Sequence, residues 1–190
     1  TVCTWTSGIL APTTLTDNCT ATPALAYTIL NPDQTIGSGT GSVNGYVFGK
    51  GTSVVTYTAT DPSGNTSTCI FTVTVVDNIV PQFANCPQDI TVSITNGGFT
   101  VSPATPAGGF VVSQPTTSQD CSVDISYTAP TASDNCPGFV TQLTQGVGGA
   151  VHNYSAGTHV ESYLVTDASG NTATCSFTIT VVDERDPVIT

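Results

Sequence analysis

Residues 51–83 read GTSVVTYTATDPSGNTSTCIFTVTVVDNIVPQF. Two runs within them, Val54-Val55-Thr56-Tyr57-Thr58-Ala59-Thr60 and Cys69-Ile70-Phe71-Thr72-Val73-Thr74-Val75-Val76, alternate with a period of two. That period sends one set of side chains to a core and the other to water, as in a half-buried strand. Between them lies Asp61-Pro62-Ser63-Gly64-Asn65, a turn by its chemistry: Pro presets φ and Gly permits positive φ. Strand, turn and strand predict an antiparallel hairpin with a short connection.

Residues 157–189 read GTHVESYLVTDASGNTATCSFTITVVDERDPVI, the same hairpin at an offset of 106 without a gap. Further upstream, Cys3 to Cys19 (CTWTSGILAPTTLTDNC) matches Cys121 to Cys136 (CSVDISYTAPTASDNC), at an offset of 118 that falls to 117 at the Asp-Asn-Cys element. The first copy carries 11 more residues than the second between its Asp-Asn-Cys and its Gly-Thr. The second copy has a leading stretch from Pro81 (PQFANCPQDITVSI) with no counterpart in the first. A repeat of this size defines the architecture. The reading is a window on a tandem array: 1–80 a repeat lacking its first strand, 81–184 a complete repeat, 185–190 a linker and the start of another.

Three more short runs read as strands: Asp89–Ile94, Val123–Tyr127 and Phe139–Leu143. The glycine-rich stretches Gly37–Gly45 and Gly146–Gly149 read as loops or weak hairpins, and no segment shows a helical period. About seven short strands in about 100 residues fit an immunoglobulin-like sandwich. The expected fold class is all-β: tandem immunoglobulin-like β-sandwich repeats stabilised by disulfides.

Composition narrows the function. Of 190 residues only Lys50 and Arg185 are basic against 13 acidic ones, a net charge of −11, while threonine fills 36 positions. Two separated cations make no basic patch, so nucleic acid and anionic membranes are excluded as ligands. No apolar run approaches the roughly 20 residues of a membrane helix, so no membrane insertion is expected. Seven cysteines in an acidic, threonine-rich chain indicate an oxidising compartment. Their spacing is unlike that of zinc ligands, which come as close pairs.

The motifs resemble the hyalin repeat, an extracellular immunoglobulin-like module. They are Cys86-Pro87, Cys121, Ala129-Pro130 with Asp134-Asn135-Cys136, Gly157-Thr158, Asp167-Ala168-Ser169-Gly170-Asn171, Cys175, and Val181-Val182-Asp183 leading to Pro187. The first copy matches from Cys3 to Pro81, and the departures are Leu164 where the first copy has Thr58 and the long insertion after Cys19. The resemblance implies an extracellular, cell-surface location and a role in adhesion, in long arrays like those of the large surface adhesins of gliding bacteria. It implies a structural stalk or filament segment that is not an enzyme and requires no cofactor. Its partners would be neighbouring repeats of the same chain, with surface glycans or other cell-surface proteins as adhesive targets. The alternative is a spacer or carbohydrate-binding module attached to a secreted multidomain enzyme.

In such a sandwich Cys136 follows the second strand and Cys175 opens the last, at one end of the domain. The expected pairs are Cys136–Cys175, Cys19–Cys69 and Cys86–Cys121, with the partner of Cys3 outside this chain. The crossed set Cys86–Cys136 and Cys121–Cys175 stays open. Asp134 and Asp167 with Asn171 lie in loops expected at one pole, and Asp77 in the linker entering there. Oxygen donors from three segments suit Ca²⁺, which takes six to eight. Those four residues are the candidate inter-repeat calcium ligands. The competing reading is that Asp and Asn only cap turns.

No catalytic constellation is expected. His152 and His159 have no histidine counterparts in the first copy, Glu161 and Glu184 make no glycosidase pair, and Lys50 sits in a turn. Trp5, Tyr46, Phe48, Phe110 and Tyr154 are candidates for a sugar-binding platform, although Trp5 aligns with Val123 and so also suits a core. Tyr57, Phe71, Tyr163 and Phe177 are expected in cores. Asn18, Asn65 and Asn153 open Asn-X-Ser/Thr triplets, which can accept N-glycans.

Overall fold

A computed structural model describes residues 3–19, 22–114 and 121–187, so the last three residues assigned above to a further repeat lie outside the described part. No helix occurs among the described residues. The chain forms two compact units, Thr1–Asn78 and Ile79–Thr190, divided two residues ahead of the boundary drawn from the repeat.

In the first unit the strands are β1 (Thr4–Thr6), β2 (Ala24–Leu30), β3 (Ile36–Thr40), β4 (Val47–Gly49), β5 (Gly51–Thr60) and β6 (Thr66–Val75). One sheet has the order β3-β2-β5-β6, and the other pairs β1 with β4. The hairpin expected from residues 51–83 is β5–β6, registered with Gly51 opposite Val75 and Tyr57 opposite Cys69. Ile29, Val43, Phe48, Val55 and Tyr57 form the buried core, with Tyr27, Tyr46 and Phe71 half-buried around it. The glycine-rich stretch contributes a real strand, β3, because its glycines make room for rings. A Cβ on Gly37 would meet the Tyr46 hydroxyl at 2.6 Å, and one on Gly39 would collide with the ring of Tyr27.

The second unit contains β7 (Gln82–Phe83), β8 (Ile90–Thr95), β9 (Gly98–Ser102), β10 (Val111–Ser113), β11 (Ser122–Ser126), β12 (Ala132–Ser133), β13 (Val140–Gln145), β14 (His152–Ser155), β15 (Gly157–Thr166) and β16 (Thr172–Asp183). A five-stranded sheet, β13-β15-β16-β8-β9, faces a three-stranded one, β10-β11-β14, and β7 pairs with β12. The β15–β16 hairpin repeats the earlier register, with Gly157 opposite Val181 and Tyr163 opposite Cys175. Each unit is an immunoglobulin-like β-sandwich.

The two copies differ in how fully this hairpin is covered. In β16, Cys175, Phe177, Ile179 and Val181 are buried, while in β6 Cys69 is exposed and Phe71, Val73 and Val75 are half-buried. The reason is β8. It pairs with β16 in parallel, Ile90 opposite Ile179, and carries Ile90, Val92 and Ile94 into the core. Each such side chain contributes roughly 1.5–3 kcal/mol when fully buried. β6 is instead the edge strand of its sheet.

Aromatic placement follows the expectation for Tyr57, Tyr163 and Phe177, which are buried, while Phe71 is only half-buried. Trp5 differs from the core reading: it stacks on the buried Phe48 across the β1–β4 pair but stays 44% exposed. Tyr154 is buried, and Phe110 packs on Tyr127 and Phe177, so neither is a surface platform.

Candidate functional site

The Asp-X-Ser-Gly-Asn turn has the same geometry in both copies. In the second, Asp167 N–H donates to the Asn171 carbonyl at 3.0 Å and Gly170 N–H to the Asp167 carbonyl at 3.2 Å. Asp167 Oδ1 accepts from the amides of Ser169 and Asn171 at 2.8 Å each, and Oδ2 from Asn171 Nδ2 at 2.7 Å. In the first, Asp61 accepts from the Asn65 amide at 2.8 Å and from Asn65 Nδ2 at 2.7 Å. Gly64 and Gly170 hold φ of 86° and 88°, the left-handed region that glycine enters without strain. Burial works against ionisation of Asp167, but bonds from the Asn171 side chain and the turn amides outweigh it and hold the carboxyl below its ordinary range. Asp61 is lowered too, first by the Asn65 side chain and then by its amide.

The Asp-Asn-Cys element also recurs. Asp134 Oδ2 accepts from the Cys136 amide at 2.9 Å, and Asp17 Oδ2 from the Cys19 amide at 2.9 Å. In the second unit this element meets the turn: oxygens of Asp134 and Asp167 lie within 4.8 Å of one another. The other oxygen of Asp134, Oδ1, is buried and has no hydrogen-bond partner among the described residues. The first unit places Asp17, Asp61 and Asn65 around one shallow pocket, and the charge of Asp17 acts on Asp61. The sequence reading did not single out Asp17 and Asp61, although the repeat itself points to them. Asn171 Nδ2 also donates to the Ile79 carbonyl at 3.2 Å, and Asp77, two residues past β6, is buried. The turn bonds need no ion to explain them. The feature suited to a cation is the facing carboxylate pair with one idle buried oxygen.

The disulfides differ from the expected set. Cys86 is bonded to Cys175, which replaces both Cys136–Cys175 and Cys86–Cys121, and equally the crossed alternative. Cys136 is disulfide-bonded, but not to Cys175. Cys3, expected to find its partner outside this chain, is also disulfide-bonded. Cys19 and Cys69, expected to pair, are free and exposed, as is Cys121. The parallel register explains the observed bond. Cys86 lies four residues before Ile90 and Cys175 four before Ile179, and Ile90 and Ile179 are partners. Equal offsets in a parallel pair bring the two sulfurs together.

One polar cluster was missed altogether. Glu161, dismissed above as a glycosidase acid, is buried at an inward position of β15. Its carboxylate accepts from the hydroxyls of Tyr127 at 2.8 Å and Tyr154 at 3.0 Å, and from the amides of Val147 and Gly148 at 3.1 Å each. Tyr163 donates in turn to the Tyr127 oxygen at 2.9 Å. Gly146 is required beside it, since a Cβ there would strike the Glu161 carboxylate. Burial, then these hydrogen bonds, push the Tyr127 and Tyr154 hydroxyls well above the ordinary tyrosine range. With every oxygen committed to structural donors, the cluster braces the loop after β13. The signal was available: Glu161 aligns with the core residue Val55. Of the histidines, His159 bonds the Ser155 carbonyl at 2.8 Å and rests on Tyr154.

Comparison with known proteins places the chain. The HYR domain model matches residues 12–75 and 109–181. Hyalin of Strongylocentrotus purpuratus is 33% identical over 155 residues, 75% of this chain and 10% of that protein. Hyalin of Lytechinus variegatus is 32% identical over 176 residues, 90% of this chain and 27% of that protein. The chain thus spans about a tenth and about a quarter of the length of these curated relatives. Among solved structures, the fibronectin(III)-like modules of Clostridium thermocellum CbhA align over 93% of this chain and 88% of that one, at 16% identity and a TM-score of 0.28, which carries no argument. The hairpin, the recurring turn and the cysteine-bearing elements are those of two matched modules, and the chain belongs to the HYR domain family.

Proposed function

We propose that this chain is a structural segment of a long extracellular stalk or filament displayed at a cell surface, with no catalysis of its own. The observation that carries this reading is the repetition of one mechanical part. The β5–β6 and β15–β16 hairpins share register and turn and recur 106 residues apart, which is how an array grows by adding like units. The partners are neighbouring repeats of the same chain. Acidic charge at −11, with two basic residues in all, keeps neighbouring filaments apart. An antibody raised to this chain tests the reading on the native source by denaturing gel. A parent many times longer than 190 residues is expected. A parent with room for only a few repeats would overturn it, in favour of a module attached to another domain.

The carboxylate pair adds a second element to this reading: Asp134 and Asp167 bind Ca²⁺, which removes their mutual repulsion and uses the idle Asp134 Oδ1. Added Ca²⁺ should raise the melting temperature by several degrees over chelator, and D134N should abolish the rise. Equal melting in Ca²⁺ and chelator would sink the calcium proposal and leave the stalk reading standing.

A further inference from the structure

β6 ends its sheet with no partner strand on its outer side among the described residues. It holds the same place in its hairpin as β16. Val54 is opposite Thr72 as Val160 is opposite Thr178, and Tyr57 is opposite Cys69 as Tyr163 is opposite Cys175. In the second unit the outer side of this strand takes β8 in parallel, Ile90 opposite Ile179 and Val92 opposite Val181. Three features hold β8 there. Ile90, Val92 and Ile94 are buried in the core. Asp89 Oδ1 accepts from the Thr178 amide at 2.7 Å, where the ladder begins. Cys86 is bonded to Cys175. The first unit keeps the receiving half of each feature. Phe71, Val73 and Val75 pack on the core but stay half-buried, where Phe177, Ile179 and Val181 are buried. The Thr72 amide, by the shared register, points out of the hairpin to the open edge. Cys69, the counterpart of Cys175, is a free and exposed thiol. An unpaired edge beside an apolar row is a template for an added strand.

We propose that β6 is a docking edge for a parallel strand of the β8 kind, locked by a disulfide to Cys69. The occupant is the first copy's own leading stretch, on the N-terminal side of residue 1 in the parent chain. Cys86 stands 35 residues before Cys121, and the same spacing before Cys3 places its cysteine there. The register carries over from β8 and β16: the residue in the place of Ile90 sits opposite Val73, and the one in the place of Val92 opposite Val75. The segment that fits has Cys-Pro-X-Asp followed by β-branched residues at alternate positions, the pattern of Cys86–Ile94. Its carboxylate takes the Thr72 amide, its apolar row closes over Phe71, Val73 and Val75, and its cysteine meets Cys69. The oxidant is a small-molecule disulfide such as oxidised glutathione. One thiolate attacks it, forming a mixed disulfide and releasing one glutathione thiol. The other thiolate attacks the mixed disulfide, forms the bond to Cys69 and releases the second glutathione; the two thiols give up two protons, and the glutathione disulfide gains the two electrons.

The inference rests on the array reading and deepens it, yet the two fail separately: a parent with few repeats would sink the array and leave this ladder standing. The edge is probed with the whole chain and a synthetic peptide of residues 84–96, incubated in a glutathione redox buffer. Mass spectrometry should find the peptide's cysteine on Cys69 at least tenfold more often than on Cys19 or Cys121. Hydrogen exchange should slow at the same time in β6. In C69S the covalent link is lost, but the peptide in excess should still slow exchange in β6. A peptide that keeps the cysteine and scrambles the other residues should do neither. Equal labelling of the three thiols, equal labelling by the scrambled peptide, or unchanged exchange in β6 with the peptide on Cys69 would each overturn the docking edge. The occupant is read from the native parent, digested without reduction. Cys69 should appear bonded to the cysteine of the Cys-Pro element next upstream of residue 1. Cys69 found free, or bonded to any other cysteine, overturns the proposal.

Discussion

At Glu161 a single substitution between the two copies changes what holds a core together. The first copy has Val55 at this position, buried by the hydrophobic effect alone. The second has a carboxylate whose burial is tolerated because two tyrosine hydroxyls and two amides point at it. E161A leaves those donors facing a cavity, and each orphaned buried group costs roughly 1–3 kcal/mol. Urea unfolding should therefore show a loss of about 3 kcal/mol or more for E161A and less for E161Q, whose amide oxygen still accepts. A loss below about 1 kcal/mol for E161A would mean that the donors find water instead. The same cluster sets an alkaline limit. The Tyr127 and Tyr154 hydroxyls are raised above the ordinary tyrosine value of 10.0, chiefly by burial and then by their hydrogen bonds, so the folded chain keeps protons that the unfolded chain releases. Their contribution is complete below pH 10 and is lost as the pH climbs past it. The denaturation midpoint should fall above that pH, and Y154F should make the fall shallower. Ultraviolet titration showing every tyrosine of the folded chain ionising at its ordinary value would contradict this. A lone sequence shows Glu161 only as one acid among thirteen; what marks it is its inward parity on a strand, visible once the copies are laid side by side.

Among the elements, the hairpins were the most legible, because everything that makes them is local. Alternation fixes the faces, and the Asp-X-Ser-Gly-Asn turn fixes the register through bonds within five residues. Gly64 and Gly170 test how much of this rests on glycine. Nothing lies within 4 Å of a Cβ placed on either, so alanine would meet no clash and its cost is purely that of positive φ. G64A and G170A should each lose about 1 kcal/mol in chemical denaturation, equally in the two copies. A near-zero loss at both would show that the turns relax to another type. Asp167 and Asp61 add a pH dependence of opposite sign to that of the tyrosines. Their carboxyls are held below the ordinary range, so their contribution is present above the unfolded value near 3.8 and is lost as the pH falls through the folded one. The exposed Trp5 and buried Tyr154 were not legible, since β1 and β14 take part in small sheets whose partners, β4 and β11, lie far along the chain. Aligning Trp5 with Val123 carried a core position onto a strand that in the first unit is only three residues long.

At the scale of the whole chain the question is what long-range contacts lock each sandwich, and here sequence reasoning failed for a physical reason. Pairing by loop position assumes that cysteines at one end of a sandwich meet. The structure pairs instead across the parallel β8–β16 ladder, whose existence depends on the leading stretch of the second copy folding back onto its last strand. Nothing local announces a parallel pairing between segments 89 residues apart. Such a bond closes a long loop, and the chain-entropy model gives it about 4–5 kcal/mol, with measured values more often about 2–4. The double variant C86S/C175S should therefore lower the stability of the second unit by about 2–4 kcal/mol, read from denaturant midpoints. Hydrogen exchange should place the loss in β8, β9 and β16, which the bond holds in register. Reducing agent should reproduce that loss in the parent chain and change little further in β8, β9 and β16 of the double variant. If the double variant loses less than about 1 kcal/mol, hydrophobic burial by Ile90, Val92 and Ile94 alone fixes the parallel strand, and the disulfide only records a register already set by packing.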